Sequence, residues 1–553
     1  MKKVDLLLLH PPSVYDFRRH AILYGPVSDL IPSSPVFEMY PLGFLTTANY
    51  LTRRGVSVRI VNLALRMMND RNFDVPRFLA GIQPSLIGID LHWLPHAHGS
   101  IEVAHIARQV HPGVPIVFGG LSSTYFHEQI LQDPAIDFVL RGNLTEPWLY
   151  QLIQTLRSDG DLAHVPNLSW RKDAQIIVNP SLHPTEDLDL ADVDPRGMVE
   201  MVLKYRDLAS VLPFRGWFGN PITAVFTVKG CDHECLTCGS SSDACQALGL
   251  HTKPIYRTPA NLVANMLQIS RISRGPIFLV GDLRQAGEAH ADEVLSLLRK
   301  SNIANEIVFE FFNLPDAHML RRIDASVRNW SIELSPESHD EEVRRLQDPT
   351  TIHTNAQMEE AISQAMALRC HRVDVFFMIG LPGQTRQSVD DTISYSETLF
   401  AKFDKRLSCF ISPMGPFIDP ASHGFEQPGK HGYTLFAHTL QEHRALLTQP
   451  TWGQILNYEN EWMTRDELVE ATYDAAERLN RLKMQYGRIG RRQGLEVAGR
   501  IRQARELKAR LQSLNHSWEK HHTPETEALL ASLRGEINRF SISTVCDKKE
   551  LYW

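Results

Sequence analysis

Three cysteines, Cys231, Cys235 and Cys238, fall within eight consecutive positions in the stretch KGCDHECLTCGS (229–240), spaced C-x3-C-x2-C. Thiolates are the soft donors that iron–sulfur clusters and zinc take. A structural zinc site wants a fourth Cys or His, and His233 and Cys245 stand close enough to serve, so zinc is the competing reading. Three thiolates on a four-iron cluster instead leave one iron open to a chelating ligand. The remaining cysteines, Cys245, Cys370, Cys409 and Cys546, are scattered. Seven in 553 residues, odd and sparse, argue against a disulfide framework and for a reducing compartment, so the expected location is cytoplasmic.

The bulk composition narrows the partners. A net charge of -7 gives no general pull toward nucleic acid or an anionic membrane. No apolar run approaches the roughly 18 residues that a bilayer span needs. The opening MKKVDLLLLHPP has a basic tip, but its apolar run is too short for a signal peptide and reads as a buried first strand.

The thiols need a scaffold. They directly follow the strand candidate ITAVFTVKGC (222–231). Five further candidates follow it, PIFLVGD, NEIVFEFF, WSIELS, RVDVFFMIG and RLSCFISP, separated by helix-like segments. Six repeats predict a partial (β/α)6 TIM barrel over 220–449, with its reactive face at the strand carboxyl ends. Upstream, residues 1–165 alternate strands (4–9, 56–63, 86–91, 115–120, 137–143) with helices, predicting a Rossmann-like, doubly wound sheet. Such a sheet binds ligands beyond its strand ends. Those ends carry Pro11 and Pro12, His92 and Trp93, Gly119 and Gly120, and Arg141, Gly142 and Asn143, with Leu42 and Gly43 entering the first helix. No G-x-G-x-x-G follows the first strand, so a dinucleotide is not favoured. Residues 166–219 read as a connector in which LSWRKDAQIIVNPSL forms a hairpin. Residues 450–553 read as a helical domain, opened by a capping box at Thr464 and Glu467. It carries a basic stretch (Arg488, Arg491, Arg492, Arg500, Arg502, Arg505, Lys508, Arg510), which reads as a solvated face or as a surface for an acidic peptide.

The cysteine spacing, placed after the first barrel strand, resembles the radical S-adenosylmethionine superfamily. The resemblance implies that Cys231, Cys235 and Cys238 hold a [4Fe–4S] cluster whose open iron chelates S-adenosylmethionine. Later motifs fall in the family's order. LVGDLR supplies Gly281 and Asp282 where the family's Gly-Gly-Glu turn receives the cofactor's amino group. ELSPESHDEEVRR supplies Ser335 and Glu337 near ribose or the methionyl carboxylate, with Arg344 in support. MIGLPGQT (378–385), with Met378 and Leu381, passes adenine, and ISPMGPFIDPAS (411–422) forms the rim. Thr237 departs from the aromatic residue usual before the third cysteine.

A doubly wound domain ahead of such a barrel resembles the cobalamin-dependent, class B branch. The resemblance implies a corrinoid bound base-off without a histidine ligand, because no Asp-x-His-x-x-Gly follows the first strand. Its nucleotide tail would run past Gly119, Gly120, Arg141, Gly142 and Asn143. His92, His96 and His98 lie near where the lower corrin face should be, and one of them as an axial ligand is the alternative. The implied activity is radical C-methylation of an unactivated carbon. One S-adenosylmethionine remethylates cobalamin, giving methylcobalamin, and a second yields a 5′-deoxyadenosyl radical. The implied partners are a flavodoxin- or ferredoxin-type electron donor and a small-molecule or peptide substrate. A peptidyl glutamine is one candidate, as for the glutamine C-methyltransferase acting on methyl-coenzyme M reductase. Ring formation or rearrangement without net methyl transfer is the alternative.

Overall fold

The computed structural model describes residues 2–23, 36–173, 175–182, 188–219, 221–250, 253–351, 353–415, 417–520 and 523–544. Cys546 lies outside them. Strand β1 (Lys2–His10) sends Val4, Leu7 and Leu9 into one core and Leu6 and Leu8 into another. A strand apolar on both faces belongs in a parallel sheet covered by helices on both sides. It pairs in parallel with β2 (Val58–Asn62) on one edge and β3 (Ile82–Asp90) on the other, and β4 (Ile116–Gly119) and β5 (Phe138–Leu140) follow in parallel. The spatial order β2-β1-β3-β4-β5 changes direction between β1 and β3. That switch opens a crevice above the carboxyl ends of these strands.

The sheet has two strands more than the five expected. The hairpin β6 (Leu168–Lys172) and β7 (Gln175–Val178) adds antiparallel to β5, with Phe138 opposite Trp170. The sheet therefore extends to Val178, into the stretch expected as a connector. A three-residue β5 would otherwise expose its edge, and the hairpin covers it. The rest of the connector ties both sheets together. The Asp192 carboxylate accepts from Arg53 at 2.6 Å and lies 3.4 Å from the buried Arg257 guanidinium. Asn265 Nδ2 donates to the Val193 carbonyl at 2.6 Å.

The second sheet is the expected partial barrel. Strands β8 (Thr223–Phe226), β9 (Ile277–Val280), β10 (Ile307–Phe311), β11 (Trp330–Glu337), β12 (Cys370–Ile379) and β13 (Leu407–Pro413) pair in chain order, all parallel. Leu279, Phe309, Ile332, Val373 and Cys409 share one core with the outer helices.

The carboxyl-terminal helices continue that core. Helix α1 (Arg465–Gln485) opens on the expected capping box: the Thr464 N–H donates to Glu467 Oε2 at 2.8 Å and the Glu467 N–H to Thr464 Oγ1 at 3.4 Å. Its Tyr473 and Leu479 join the barrel core. So do Ile501 and Leu507 of α2 (Arg491–Lys520) and Leu533 and Ile537 of α3 (Pro524–Thr544). A short antiparallel pair, Tyr433–Leu435 with Tyr458–Asn460, also crosses the boundary expected at residue 450. Ser541 Oγ donates to the Ile22 carbonyl at 2.6 Å, bringing α3 back to the loop after β1. Among the described residues no helix is long and apolar enough to cross a membrane.

Candidate active site

Beyond β8 the chain makes a two-residue antiparallel bridge, Val228–Lys229 with Ile255–Tyr256, and turns at Gly230 into the cysteine loop. Two of the loop's sulfurs receive hydrogen bonds, while the Cys235 thiol faces Asp348 Oδ2 at 3.7 Å. The His233 N–H reaches Cys231 Sγ at 3.5 Å, Gln285 Nε2 reaches it at 3.6 Å, and the Ser240 N–H reaches Cys238 Sγ at 3.4 Å. The segment 347–351 braces the loop from below: the Leu236 N–H donates to the Gln347 carbonyl at 2.7 Å, and His233 Nδ1 lies 2.6 Å from Asp348 Oδ2. The loop after β13 closes over it. A Cβ on Gly239 would stand 2.8 Å from the Asp419 Cβ and 2.9 Å from the Pro420 carbonyl oxygen, so only glycine permits this approach.

Burial pushes all three thiols above the ordinary cysteine range, and nearby negative groups, Glu337 at Cys235 and Asp419 at Cys238, push in the same direction. Such thiols become thiolates only when a cation compensates them. Half-buried sulfurs with amide N–H groups aimed at them fit an iron–sulfur cluster, whose thiolates take such bonds. The zinc reading loses one of its candidate fourth ligands, since buried Cys245 faces the Ser240 carbonyl at 3.5 Å, while His233 is held through Nδ1 by Asp348. Among the described residues no three His, Cys, Asp or Glu side chains could hold a single metal ion.

The strand ends around the thiols sort the expected S-adenosylmethionine contacts. Glu337, the last residue of β11, adopts φ +62, a conformation that non-glycine residues rarely hold. Burial lifts its carboxyl to about 7, aided by Asp348. Gly281 donates its N–H to Glu310 Oε2 at 2.7 Å, and burial lifts Glu310 to about 7 as well. Asp282, expected to receive an ammonium group, already has both oxygens on the Arg284 guanidinium, at 3.0 and 2.5 Å. A carboxylate two residues before an arginine is captured locally by its fork. Arg344 is likewise spent: its guanidinium donates to the Ser338 and His353 carbonyls and to Asn355 Oδ1. Ser335 is half-buried near the end of β11. Leu381 is fully buried, and the Met378 carbonyl accepts from Gln384 Nε2 at 2.9 Å. Thr237 accepts from Gln347 Nε2 at 2.9 Å.

Across from the thiols lie the ends of β1 to β5. Gly120, at φ +116, packs so tightly that a Cβ would stand 2.5 Å from the His92 Cα. Pro11 and Pro12 are buried beneath the rim, Leu42 is half-buried, and a Cβ on Gly43 would meet open space. Trp93 is exposed and packs edge-on against Phe37 and His92, with ring centres 5.6 and 4.5 Å apart. The Gly142 N–H donates to Thr124 Oγ1 at 2.9 Å. Arg141 turns away from the crevice: it donates to the Asn179 carbonyl and, at 3.3 Å, to Ser181 Oγ beside the hairpin. Gly119 ends β4 within ordinary contact of β5.

Two residues escaped the sequence reading. Lys229 donates from Nζ to the Asn143 carbonyl at 2.5 Å, joining the barrel to the first sheet. Glu146 accepts from Thr46 Oγ1 at 2.7 Å through one oxygen, while its other oxygen is buried without a hydrogen-bond partner among the described residues. A lone lysine at a strand end carries no motif. Glu146 lay three residues beyond the RGN that was singled out. An orphan acceptor beside a glycine-lined strand end suits a ligand rimmed with amide N–H groups, as a corrin is.

Family comparison agrees with this division. The model described as B12 binding domain matches residues 30–148, and that of the Radical SAM superfamily matches residues 225–395. The chain thus joins a match to the B12-binding domain with one to the Radical SAM superfamily. Among relatives of this protein, an anaerobic magnesium-protoporphyrin IX monomethyl ester cyclase of Synechocystis is 24% identical over 279 residues, 50% of this chain and 49% of its own. An uncharacterized methyltransferase of Pyrococcus horikoshii is 24% identical over 243 residues, 44% and 46% of the two chains. The chain thus spans about half the length of the curated relatives it matches. Its fold is similar to that of TsrM, a radical S-adenosylmethionine methyltransferase from Kitasatospora setae solved with cobalamin and a [4Fe–4S] cluster. The TM-score is 0.59 at 14% identity, covering 87% of this chain and 89% of that one.

Proposed function

We propose that this protein is a cobalamin-dependent radical S-adenosylmethionine C-methyltransferase. The observation that carries the reading is the approach of two strand-end faces: the thiol loop of the barrel is joined by Lys229 to the Asn143 loop of the B12-binding sheet. Cys231, Cys235 and Cys238 would hold the cluster. Glu337 and the Gly281 backbone border the place for S-adenosylmethionine. Gly120, Gly142, Asn143 and Glu146 border the place for the corrinoid. When bound, the cluster with S-adenosylmethionine supplies hydrogen-atom abstraction and the corrinoid supplies the methyl group. The chain's own part is to hold both beside one substrate carbon and to exclude water. An external one-electron donor must serve the cluster. The methyltransferase names of a relative and of a structural neighbour support this reading.

The substrate class follows the state of the basic stretch. Arg505 pairs with Asp474, Lys508 with Glu470 at 2.6 Å, and Arg510 with Glu536 at 3.0 Å, while Arg488 donates to the Phe400 and Phe403 carbonyls. Four of its eight cations are thus engaged within the fold while Arg491, Arg492 and Arg502 stay exposed, so the stretch offers an acidic peptide a reduced surface, and a small molecule entering between the two faces is the favoured substrate. A second reading, ring formation without methyl transfer, is favoured by the name of the Synechocystis relative. Anaerobically reconstituted protein given S-adenosylmethionine with a deuterated methyl group separates the two. Methyl transfer places the label in a product recovered from a native extract. Turnover to 5′-deoxyadenosine with an unlabelled, altered product supports ring formation and overturns the methyltransferase.

A further inference from the structure

Four histidines cluster at the ends of β1 and β3, and their ring nitrogens are not equivalent. His10 has Nδ1 3.0 Å from Asp90 Oδ1 and Nε2 3.2 Å from the Phe37 carbonyl oxygen, so both nitrogens face oxygens. His96 Nε2 lies 3.0 Å from the same carbonyl, and its ring is sealed against His10 and Phe37. His98 Nδ1 accepts the Tyr15 N–H at 3.3 Å. His92 alone of the four has neither ring nitrogen hydrogen-bonded to another described residue.

Its position is fixed from behind. The Ser122 N–H donates to the His92 carbonyl at 3.1 Å and the Ser123 N–H to the Leu91 carbonyl at 3.0 Å. Gly120 closes against the His92 Cα. The backbone is thus clasped at the end of β3, beside the switch point where a doubly wound sheet takes its ligand. The ring sits edge-on to Trp93, within electrostatic reach of Asp90 and of Lys229 from the barrel. Burial keeps it neutral, the form in which an imidazole can bind a metal.

We propose that His92 donates an imidazole nitrogen to the corrinoid cobalt from the sheet side. This deepens the cobalamin reading above and rests on it. A metal-binding histidine usually gives its other N–H to a carboxylate or carbonyl, which strengthens the donor. His92 has no such partner among the described residues, so it is a weak ligand and lets cobalt change coordination readily.

The test is electron paramagnetic resonance of the full chain loaded with cob(II)alamin, made once with ordinary and once with nitrogen-15 histidine. Ligation by histidine gives a nitrogen splitting that changes from a triplet to a doublet on labelling. The splitting disappears in His92→Ala and survives in His96→Ala. A splitting unaffected by the label comes from the cofactor's own benzimidazole and overturns the assignment, as does a cobalamin-loaded protein with no splitting at all. Both results leave the cobalamin reading standing. Wild-type protein that retains no cobalamin overturns that reading and the His92 assignment together. The labelling comparison uses wild-type protein and so does not depend on the variants folding.

Discussion

Lys229 Nζ donates to the Asn143 carbonyl at 2.5 Å, two residues before the first cysteine of the thiol loop. Burial lowers the lysine's pKa and Glu146 opposes that shift. This bond joins the thiol loop to the Asn143 loop where the two sheets meet, beside the ties that the connector makes. Lys229→Met keeps the apolar stem and removes the donor. The expected outcome is a wild-type iron content with product formation reduced by about tenfold or more, since misplacing reactants costs roughly that much. Equal losses of iron and activity would mean that the substitution simply unfolds the loop.

The four cysteines nearest the loop should divide three to one. Cys231→Ala, Cys235→Ala and Cys238→Ala are each expected to abolish the iron and sulfide content of anaerobically reconstituted protein. Cys245→Ala should leave both near wild type, at a stability cost of about 1 kcal/mol for a small buried side chain. Stoichiometric zinc in place of iron, lost in the Cys245 variant, would restore the zinc reading.

Gly120 tests the corrinoid crevice without touching the barrel. Alanine there must adopt φ +116 and place its Cβ 2.5 Å from the His92 Cα, against backbone that cannot swing aside. The expected cost is at least ~2 kcal/mol from strain and clash. It should be read as a lowered midpoint of thermal unfolding and weaker cobalamin retention, with iron content preserved. Retention equal to wild type would move the corrinoid away from this strand end.

The parts visible in sequence were those governed by local rules. Doubly apolar β1, the six barrel strands, the hairpin and the Thr464–Glu467 cap each follow from periodicity or capping chemistry, which neighbouring residues decide. The thiol spacing marked the loop for the same reason. Side-chain partnerships were not visible, because they depend on what folds nearby. Asp282 looked free until Arg284 folded back on it, Arg344 until Ser338 and Asn355 surrounded it, and Arg141 until the hairpin drew it outward. The partners of Arg505 and Lys508 in the basic stretch were hidden for the same reason, since α1 brings Asp474 and Glu470 to them only in the fold. Lys229 and Glu146 lie far apart in sequence and acquire meaning only where the two sheets meet.

The His233–Asp348 pair makes the stability of the thiol loop depend on pH. Burial opposes the charge on each partner, but for His233 the hydrogen bond and charge of Asp348 outweigh it, leaving the imidazole above its ordinary value. For Asp348 the bonds from His233, Thr350 and Thr351 outweigh burial and hold the carboxyl well below its own. The raised histidine stabilises the fold fully below its unfolded value of about 6.5, and this contribution is lost as pH rises through the folded value. The lowered aspartate contributes above its unfolded value of about 3.9 and loses that contribution only on deeper acidification. The pair is therefore worth most between about pH 4 and 6.5. Asp348→Asn in the cluster-free protein should cost on the order of 3 kcal/mol in that window, as for a buried pair deprived of one partner. The deficit should shrink as pH is raised through the histidine's elevated folded value, where the wild-type imidazole loses its proton and with it the advantage of the charged partner. Denaturant unfolding of both proteins under anaerobic conditions across that range measures it. A deficit that stays constant with pH would assign the brace to the threonine hydroxyl bonds rather than to the ion pair.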